Sequence, residues 1–540
     1  MASSGCARVP CSNGPGRIKL RLGGAGTGAM TFFETLLLLL FAAVVLLQVA
    51  RRVGLPYPAM LALAGLLVAL VPGAPTIRID PPTALALFIA PILLDAAFDF
   101  PLTTATRLWR PLVVMACVAV LVTTAVVAWI GVTAAGLPLA AAVVLGAIVA
   151  PPDAAAATAV TGTVPLPRRT VAVLKGESLL NDATALLLFS GALMIQNAEG
   201  SAAAVGTRLA LAVPGGILLG LVLAWVMGRV TGYLVGTLGG NIFQFVAAWA
   251  VWLIAEHLHL SAVLAVVTFA VVLARNPATG SAPRMRVQSF AVWAVAVFLL
   301  NVIAFLLMGL QARVILGEMA HAEVWPALRF AGLVVLGVVL SRFAVVMAWN
   351  LLARRSPRVR GDLAPPTVGQ GVLVSWCGMR GLVTLATAFA LPRDFPQRDL
   401  VVLTAFAVVL ATLVLQGLTL EPLIRLLGLD RVEDPDAELR EGRRRLTDAA
   451  LARLDGLPHA ASLLETYRAK RRMGEDASAA DWLSGQRDAG LAVIAAQRDA
   501  LDRMLADETV GIDAFYVLQE ELDWRSLTLL PEQERRIEEA

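Results

Sequence analysis

Apolar blocks about 20 residues long recur from residue 31 to residue 427, and this pattern constrains the fold more than any other feature of the chain. A helix needs roughly 20 apolar residues to cross the hydrocarbon core of a bilayer. Apolar residues make up 58% of the chain, whereas soluble domains contain roughly 45–50%. The blocks are rich in Leu and Ala and lack strict alternation, which argues against the strands of a membrane barrel.

We therefore predict an all-α polytopic membrane protein with about thirteen transmembrane helices. The predicted spans are 31–50, 58–73, 82–100, 111–133, 137–161, 169–196, 206–229, 240–257, 260–274, 288–311, 324–352, 368–391 and 399–427.

Arginine residues concentrate in every second loop between these blocks. Loops rich in Lys and Arg stay on the cytoplasmic side of a membrane. An odd number of spans then places the N-terminus outside and the C-terminus in the cytoplasm, and we expect a multi-pass protein of the inner (plasma) membrane. The basic loops contain Arg51 and Arg52, Arg107 and Arg110, Arg168 and Arg169, Arg229, Arg275 to Arg286, and Arg354 to Arg360.

Composition divides the chain into three parts. Residues 1–29 are basic and rich in Gly and Ser, which predicts either a disordered leader or a stretch that is not translated, with Met30 as the start. Residues 30–429 form the predicted transmembrane domain, and residues 430–540 a charged, helical cytosolic tail. The net charge of +4 comes from the membrane loops, so it does not indicate nucleic-acid binding.

The sequence gives no sign of a metal centre or an organic cofactor. The 4 cysteines and 4 histidines are scattered along the chain, without the spacing of a zinc site or a disulfide framework. We therefore expect no cofactor and no metal beyond a transported cation.

Two carboxylates, Glu177 and Asp182, interrupt the sixth apolar block. A carboxylate at membrane depth costs roughly 2.5–3.5 kcal/mol, so it is kept where it is paired, hydrated or used. Asp182 is the strongest candidate for a group that holds either a proton or a cation; a structural hydrogen-bond acceptor is the alternative. Ser178 lies one turn earlier on the same helix face, where its hydroxyl could join a cation site. Glu177 faces elsewhere, and Arg342 in the eleventh span is its expected partner.

The fifth span contains Pro151 and Pro152, which remove backbone donors and predict a helix break. Broken backbone at this depth lies beside a cavity, and the freed carbonyls are suited to cations. Asp153 lies at the break, as a cation ligand or as the cap of the following half-helix.

The twelfth span offers a counterpart, because Gly378 and Gly381 bracket Arg380. Breaks at matching positions indicate inverted repeats, here spans one to six against eight to thirteen, with discontinuous helices. Arg380 would compensate the charge of the acids; a snorkelling arginine is the alternative. Asp95 in the third span is a secondary acid.

These motifs together resemble the monovalent cation:proton antiporter family, which includes bacterial and animal sodium/hydrogen exchangers. The resemblance covers about residues 31–428. Its carriers are the run from Gly176 to Asp182, the acidic motif around Asp153, the run from Gly378 to Gly381, and weaker stretches at 91–97 and 255–261.

The resemblance implies a core domain that moves against a dimerisation domain, alternating access and a homodimer. It assigns Asp182 as the ion and proton carrier, with Asp153 and Ser178 as ion ligands, and a salt bridge between Glu177 and Arg342. The pair Asn181-Asp182 is similar to that of the electroneutral branch.

This chain departs from the family at two positions. Many relatives have Thr where this chain has Pro152, and many have Glu where it has Asp95. Both changes bear on the identity of the cation, because selectivity depends on the number and reach of the ligands.

We predict a secondary antiporter that exchanges Na⁺ for H⁺ and serves pH homeostasis, with Li⁺ or K⁺ as further substrates to test. It would not be an enzyme. A gated cation channel is the alternative, although paired helix breaks argue against a continuous pore.

Overall fold

The computed structural model describes most of the chain, and every structural statement below refers to these residues. They are residues 32–53, 57–70, 83, 85–100, 102–153, 166–197, 202–234, 238–275, 283–318, 321–361, 363–429, 435–454, 461–472, 477–507 and 512–530. The predicted leader, residues 1–29, lies outside them.

The described residues form helices and connecting segments, with no β-strand among them. The first ten α-helices are α1 (Phe32–Val53), α2 (Tyr57–Leu70), α3 (Ala90–Phe98), α4 (Leu102–Val113), α5 (Ala119–Ala135), α6 (Leu139–Val149), α7 (Arg168–Gln196), α8 (Ala202–Leu234), α9 (Leu238–His257) and α10 (Ala262–Arg275).

The remaining helices are α11 (Pro283–Glu318), α12 (His321–Arg355), α13 (Pro357–Arg360), α14 (Val368–Trp376), α15 (Leu382–Phe389), α16 (Arg398–Ala411), α17 (Gly417–Leu426), α18 (Pro435–Leu454), α19 (Ala461–Arg472), α20 (Ala477–Ala506) and α21 (Ile512–Leu529). Single π-helical turns at Leu85–Ile89, Val114–Val118 and Thr412–Gln416 lead into α3, join α4 to α5 and join α16 to α17.

Six helices in the described part of the chain are long and apolar enough to cross a membrane. They run over Thr104–Ala135, Arg169–Gln196, Ala203–Val230, Ser289–Gln311, Val324–Arg355 and Arg398–Leu426. Six shorter apolar helices accompany them. The structure therefore confirms an all-helical protein with several apolar spans, while the count of thirteen stays a prediction.

Helices from the two halves of the chain pack in matching pairs. α1 packs on α2 as α9 packs on α10, and α2 packs on α11 as α10 packs on α3. The contact of α5 with α6 corresponds to that of α12 with α14, and the contact of α6 with α7 to that of α15 with α16. The pairing follows the division that the sequence predicted, spans one to six against eight to thirteen.

Glycines allow the backbones of α2 and α11 to approach closely. A Cβ atom built on Gly65 would lie 2.9 Å from the Cα atom of Gly309, and one on Gly309 would lie 2.7 Å from the backbone nitrogen of Leu66. Small residues at such crossings permit the van der Waals contact that holds helices together in lipid.

The last four helices, α18 to α21, pack on one another in sequence order. Ile494, Leu501 and Leu522 form a small apolar core between α20 and α21. An exposed ion pair between Arg498 and Asp523, 2.5 Å apart, lies beside this core.

Candidate functional site

Two non-helical segments, called interruptions below, meet in the interior of the protein. α6 ends at Val149, and residues 150–153 are not helical. The second interruption, residues 377–381, separates α14 from α15. The backbone N–H of Asp153 donates to the carbonyl oxygen of Met379 across 2.7 Å, so the two non-helical segments are hydrogen-bonded to each other.

The side chain of Asp153 also joins the two interruptions. The backbone N–H of Leu382, at the start of α15, donates to the Asp153 carboxylate across 3.3 Å. A carboxylate is favoured at this position because the N-terminus of a helix carries partial positive charge and unpaired donors. Asp153 therefore caps α15, while the predicted cap of the half-helix after Asp153 falls on residues outside the described ones.

Close packing explains both glycines of the second interruption. A Cβ atom at Gly381 would lie 2.5 Å from the carboxyl carbon of Asp153. One at Gly378 would lie 2.6 Å from the Nε atom of Arg342. Real Cβ atoms do not approach other atoms so closely, so a side chain at either position would displace a charged neighbour.

Arg380 lies between the ends of the interrupted helices and is 1% exposed. Its Nε–H donates to the carbonyl oxygen of Val149 across 2.8 Å, and its Nη1–H donates to that of Gly378 across 2.5 Å. Both carbonyls lie where a helix ends, and the C-terminus of a helix carries partial negative charge. The guanidinium therefore compensates helix ends and is not directed toward solvent.

α7 carries the predicted ion site beside these interruptions. Asp182 is 8% exposed, and the carboxyl group of Asp153 interacts with it electrostatically. Among the described residues no hydrogen-bond donor contacts the Asp182 carboxylate. Ser178, one turn earlier on α7, is half-buried and has an interaction partner of its own.

Asn181 connects α7 to the first interruption. Its amide Nδ2–H donates to the carbonyl oxygen of Pro152 across 2.9 Å. This orientation of the amide is required, because a carbonyl oxygen can only accept a hydrogen bond. The amide oxygen of Asn181 is buried and has no partner in the described part of the chain.

Glu177 and Arg342 form a bidentate ion pair that is shielded from solvent. The Nη1 and Nη2 atoms of Arg342 lie 2.5 Å and 3.1 Å from the two carboxylate oxygens of Glu177. Nη2 also donates to the carbonyl oxygen of Val374 across 3.0 Å. The pair therefore joins α7, α12 and α14 beside the second interruption.

Asp95 is the predicted secondary acid. It lies on α3, half-buried, and has an interaction partner of its own. α3 packs mainly on α10, and also contacts α7, α9 and α11. The structure leaves its role as a secondary acid a prediction.

Thr412 is a site residue that the sequence analysis missed. Its hydroxyl oxygen accepts a hydrogen bond of 3.0 Å from the backbone N–H of Arg380 and donates one of 2.8 Å to the carbonyl oxygen of Val408. Threonines recur in this apolar segment, at 404, 412 and 419, so the residue type gives no signal. The π-helical turn at Thr412–Gln416 distinguishes it, and the sequence does not reveal that turn.

Comparison with known proteins decides the family. A family model described as the transmembrane part of the sodium/hydrogen exchangers matches residues 37–426. The chain belongs to this family. This exchanger is accordingly a membrane transporter and not an enzyme.

Individual relatives agree with this assignment. An uncharacterized Na⁺/H⁺ exchanger of Mycobacterium tuberculosis is 33% identical over 456 residues, which cover 81% of this chain and 82% of the relative. A sodium, potassium, lithium and rubidium/H⁺ antiporter of Bacillus pumilus is 27% identical over 494 residues, which cover 86% of this chain and 73% of the relative.

Solved structures agree on the fold. The sodium proton antiporter MjNhaP1 from Methanocaldococcus jannaschii matches with a TM-score of 0.56 at 19% sequence identity. The match covers 72% of this chain and 100% of MjNhaP1. The exchanger therefore has the helical fold of MjNhaP1.

Proposed function

We propose that this exchanger moves Na⁺ against H⁺, one for one, and that the Asp182 carboxyl group binds the two ions in turn. Exchange of a cation for a proton is the function that the family assignment supports, and it disfavours a gated channel. The observation that carries the proposal is the contrast between two buried acids of α7. Arg342 neutralises Glu177, whereas Asp182 has no donor among the described residues and lies beside the interrupted helices.

One carboxylate cannot hold both ions at once, so competition at Asp182 would couple the two fluxes. A small cation needs several oxygen ligands, and the neighbourhood of Asp182 contains further oxygens. We propose Asp153 and Ser178 as ligands, together with the buried amide oxygen of Asn181. Alternating access would then carry this set from one side of the membrane to the other.

The cation is proposed as Na⁺, with Li⁺ and K⁺ to be tested. Pro152 contributes no side-chain oxygen, and its carbonyl already accepts a hydrogen bond from Asn181. The site therefore has one oxygen fewer than relatives with Thr at this position. Because selectivity among small cations depends on ligand number, this loss favours a less selective site.

We further propose thirteen spans in two inverted repeats, residues 30–429 as the transport domain and residues 430–540 as a cytosolic tail. The matched packing of the two halves supports the repeats, and the small core of α20 and α21 supports a separate tail. Arginines from three predicted cytoplasmic loops meet at one end of the bundle, which supports a plasma-membrane protein with the N-terminus outside. A homodimer is proposed on the family resemblance.

The experiment that tests the function is the collapse of a pH gradient in proteoliposomes on addition of Na⁺, Li⁺ or K⁺. We expect Na⁺ to collapse the gradient with wild-type protein and Asp182→Asn to abolish the effect, because an amide neither titrates nor carries charge. Asp394→Asn removes an exposed carboxylate and serves as the matched control, with activity kept.

Two results would contradict the proposal. Activity retained by Asp182→Asn would remove this residue from the ion path. A steady Na⁺ current in planar bilayers without any pH gradient would indicate a channel.

A further inference from the structure

Five arginines from three separate segments lie together at one end of the bundle. The Nη1–H of Arg110 on α4 donates to the carbonyl oxygens of Arg358 and Val359, at 2.8 Å and 3.4 Å. Arg169 on α7 donates to the carbonyl oxygen of Ala364. The segment that accepts these bonds, α13 and the residues after it, carries Arg358 and Arg360. We call Arg107, Arg110, Arg169, Arg358 and Arg360 the arginine cluster.

The cluster concentrates positive charge, and no acid among the described residues compensates it. The guanidinium groups of Arg107 and Arg360 both interact electrostatically with that of Arg169. Among the described residues no carboxylate forms an ion pair with any of the five. Like charges in contact repel each other, so the described part of the cluster favours binding of an anion.

The donors of the cluster are only partly used. The bonds that they make go to backbone carbonyls, such as the 3.2 Å bond from Arg360 to Ala353. The Nε–H of Arg360 is buried and has no partner in the described part of the chain. A guanidinium presents five N–H donors in a planar fork that fits phosphate oxygens.

The N-terminus of α7 adds partial positive charge beside the arginine cluster. Arg169 is the second residue of α7, and Pro167 precedes the helix without providing a side-chain cap. The first N–H groups of a helix attract anions, phosphate above all. The arginines and the helix end therefore favour the same ligand chemistry.

The position of the cluster identifies the source of the phosphate. It lies at the ends of three apolar helices that are long enough to cross a membrane, Thr104–Ala135, Arg169–Gln196 and Val324–Arg355, and the ends of membrane-spanning helices lie near the lipid headgroups. Large apolar side chains are exposed next to it in the sequence of α4 and α12, including Trp109 at 56% and Leu352 at 51%. Tryptophan is enriched at this depth of a membrane.

We propose that the arginine cluster binds the headgroup phosphate of an anionic phospholipid, whose acyl chains lie along the exposed apolar surface of α4 and α12. The lipid supplies the negative charge that the described carboxylates do not. It also holds α4, α7 and the loop after α12 together at the end of the bundle.

Native mass spectrometry of the purified, delipidated full chain tests this proposal with dioleoyl phosphatidylglycerol as the probe. We expect stoichiometric binding to wild-type protein. Arg169→Gln combined with Arg360→Gln should weaken binding about tenfold or more, because each basic residue near a membrane surface contributes substantially to anionic-lipid affinity. Arg107→Gln with Arg358→Gln, both exposed, is a second variant that leaves the half-buried Arg169 and Arg360 in place.

The matched control is Arg52→Gln with Arg229→Gln, which removes two exposed positive charges outside the cluster. Equal weakening by this control would overturn the proposal, since binding would then depend on total charge alone. Equal binding of dioleoyl phosphatidylcholine would overturn it as well. Thermal stabilisation by inorganic phosphate as large as that by phosphatidylglycerol would replace the lipid with a free anion.

Wild-type protein supplies a further measurement that does not depend on any variant folding. Raising choline chloride should displace phosphatidylglycerol, because an electrostatic site is screened by salt. Binding that does not change with salt would exclude the arginine cluster as the site.

Discussion

At the scale of single residues, α7 carries two buried carboxylates, Glu177 and Asp182, whose surroundings are opposite. Glu177 is fixed by two hydrogen bonds from Arg342, while Asp182 faces the interrupted helices. A buried ion pair balances desolvation against Coulomb attraction and costs most when only one partner is removed. Neutralising Glu177 should therefore leave Arg342 as an unpaired buried charge, whereas neutralising Asp182 breaks no such pair among the described residues.

We expect Glu177→Gln or Arg342→Gln alone to destabilise the protein by about 3–5 kcal/mol, because each leaves a buried charge without its partner. The double variant should recover part of this loss. Folded yield and thermal unfolding in detergent provide the measurement. The exposed pair Glu421 and Arg425 on α17 is the control, where neutralisation should cost about 1 kcal/mol or less. Additive losses at Glu177 and Arg342 would show that the pair does not act as a unit.

The sequence allowed much of this residue-level picture to be predicted. Lone charges in apolar spans are rare enough that Glu177, Asp182, Arg342 and Arg380 could each be singled out. Hydrogen bonds to backbone carbonyls could not be predicted, because every residue has a carbonyl. The contact of Asn181 with Pro152 is of this kind.

At the scale of elements, the two interrupted helices form one structure. Asp153 bonds to the second interruption through both its backbone and its side chain, and Arg380 bonds to the end of α6. The prolines and glycines of the sequence predicted the positions at which the helices break. They did not predict that a π-helical turn between α16 and α17 would support the crossing, since such turns have no residue signature that the sequence displays.

We expect Thr412→Val to slow cation-driven proton exchange severalfold while membrane insertion is kept. Valine has the shape of threonine but leaves the backbone N–H of Arg380 buried without an acceptor, which costs about 1–3 kcal/mol. The initial rate of gradient collapse provides the measurement.

Thr404→Val is the matched control, because the hydroxyl of Thr404 is equally buried on the same segment but donates only to Leu400 of its own helix. An equal loss of rate in both variants would exclude a specific role for Thr412.

At the scale of the whole molecule, the repeated packing of the two halves was predictable in outline, because breaks recur at matching positions of the sequence. The number of spans was not predictable in the same way. Several described helices are shorter than a bilayer requires, and hydropathy alone does not say which of them cross it.

We expect the exchange to be insensitive to membrane potential. With proteoliposomes under an imposed sodium gradient of about tenfold, net proton flux should vanish at an opposing gradient of about one pH unit at every potential, because no net charge crosses. A balance point that moves with voltage would contradict one-for-one exchange.

The buried charge of Arg380 has a consequence for movement of the carrier without cargo. When all are ionised, the interior of the described site contains the carboxylates of Glu177, Asp153 and Asp182 and the guanidiniums of Arg342 and Arg380, which leaves a net charge of minus one. If Asp182 binds the cargo as proposed, a proton or a sodium ion would make the sum zero. A loaded carrier would then cross the low-dielectric interior more easily than an empty one, which would meet an electrostatic barrier, and futile return without cargo would be suppressed.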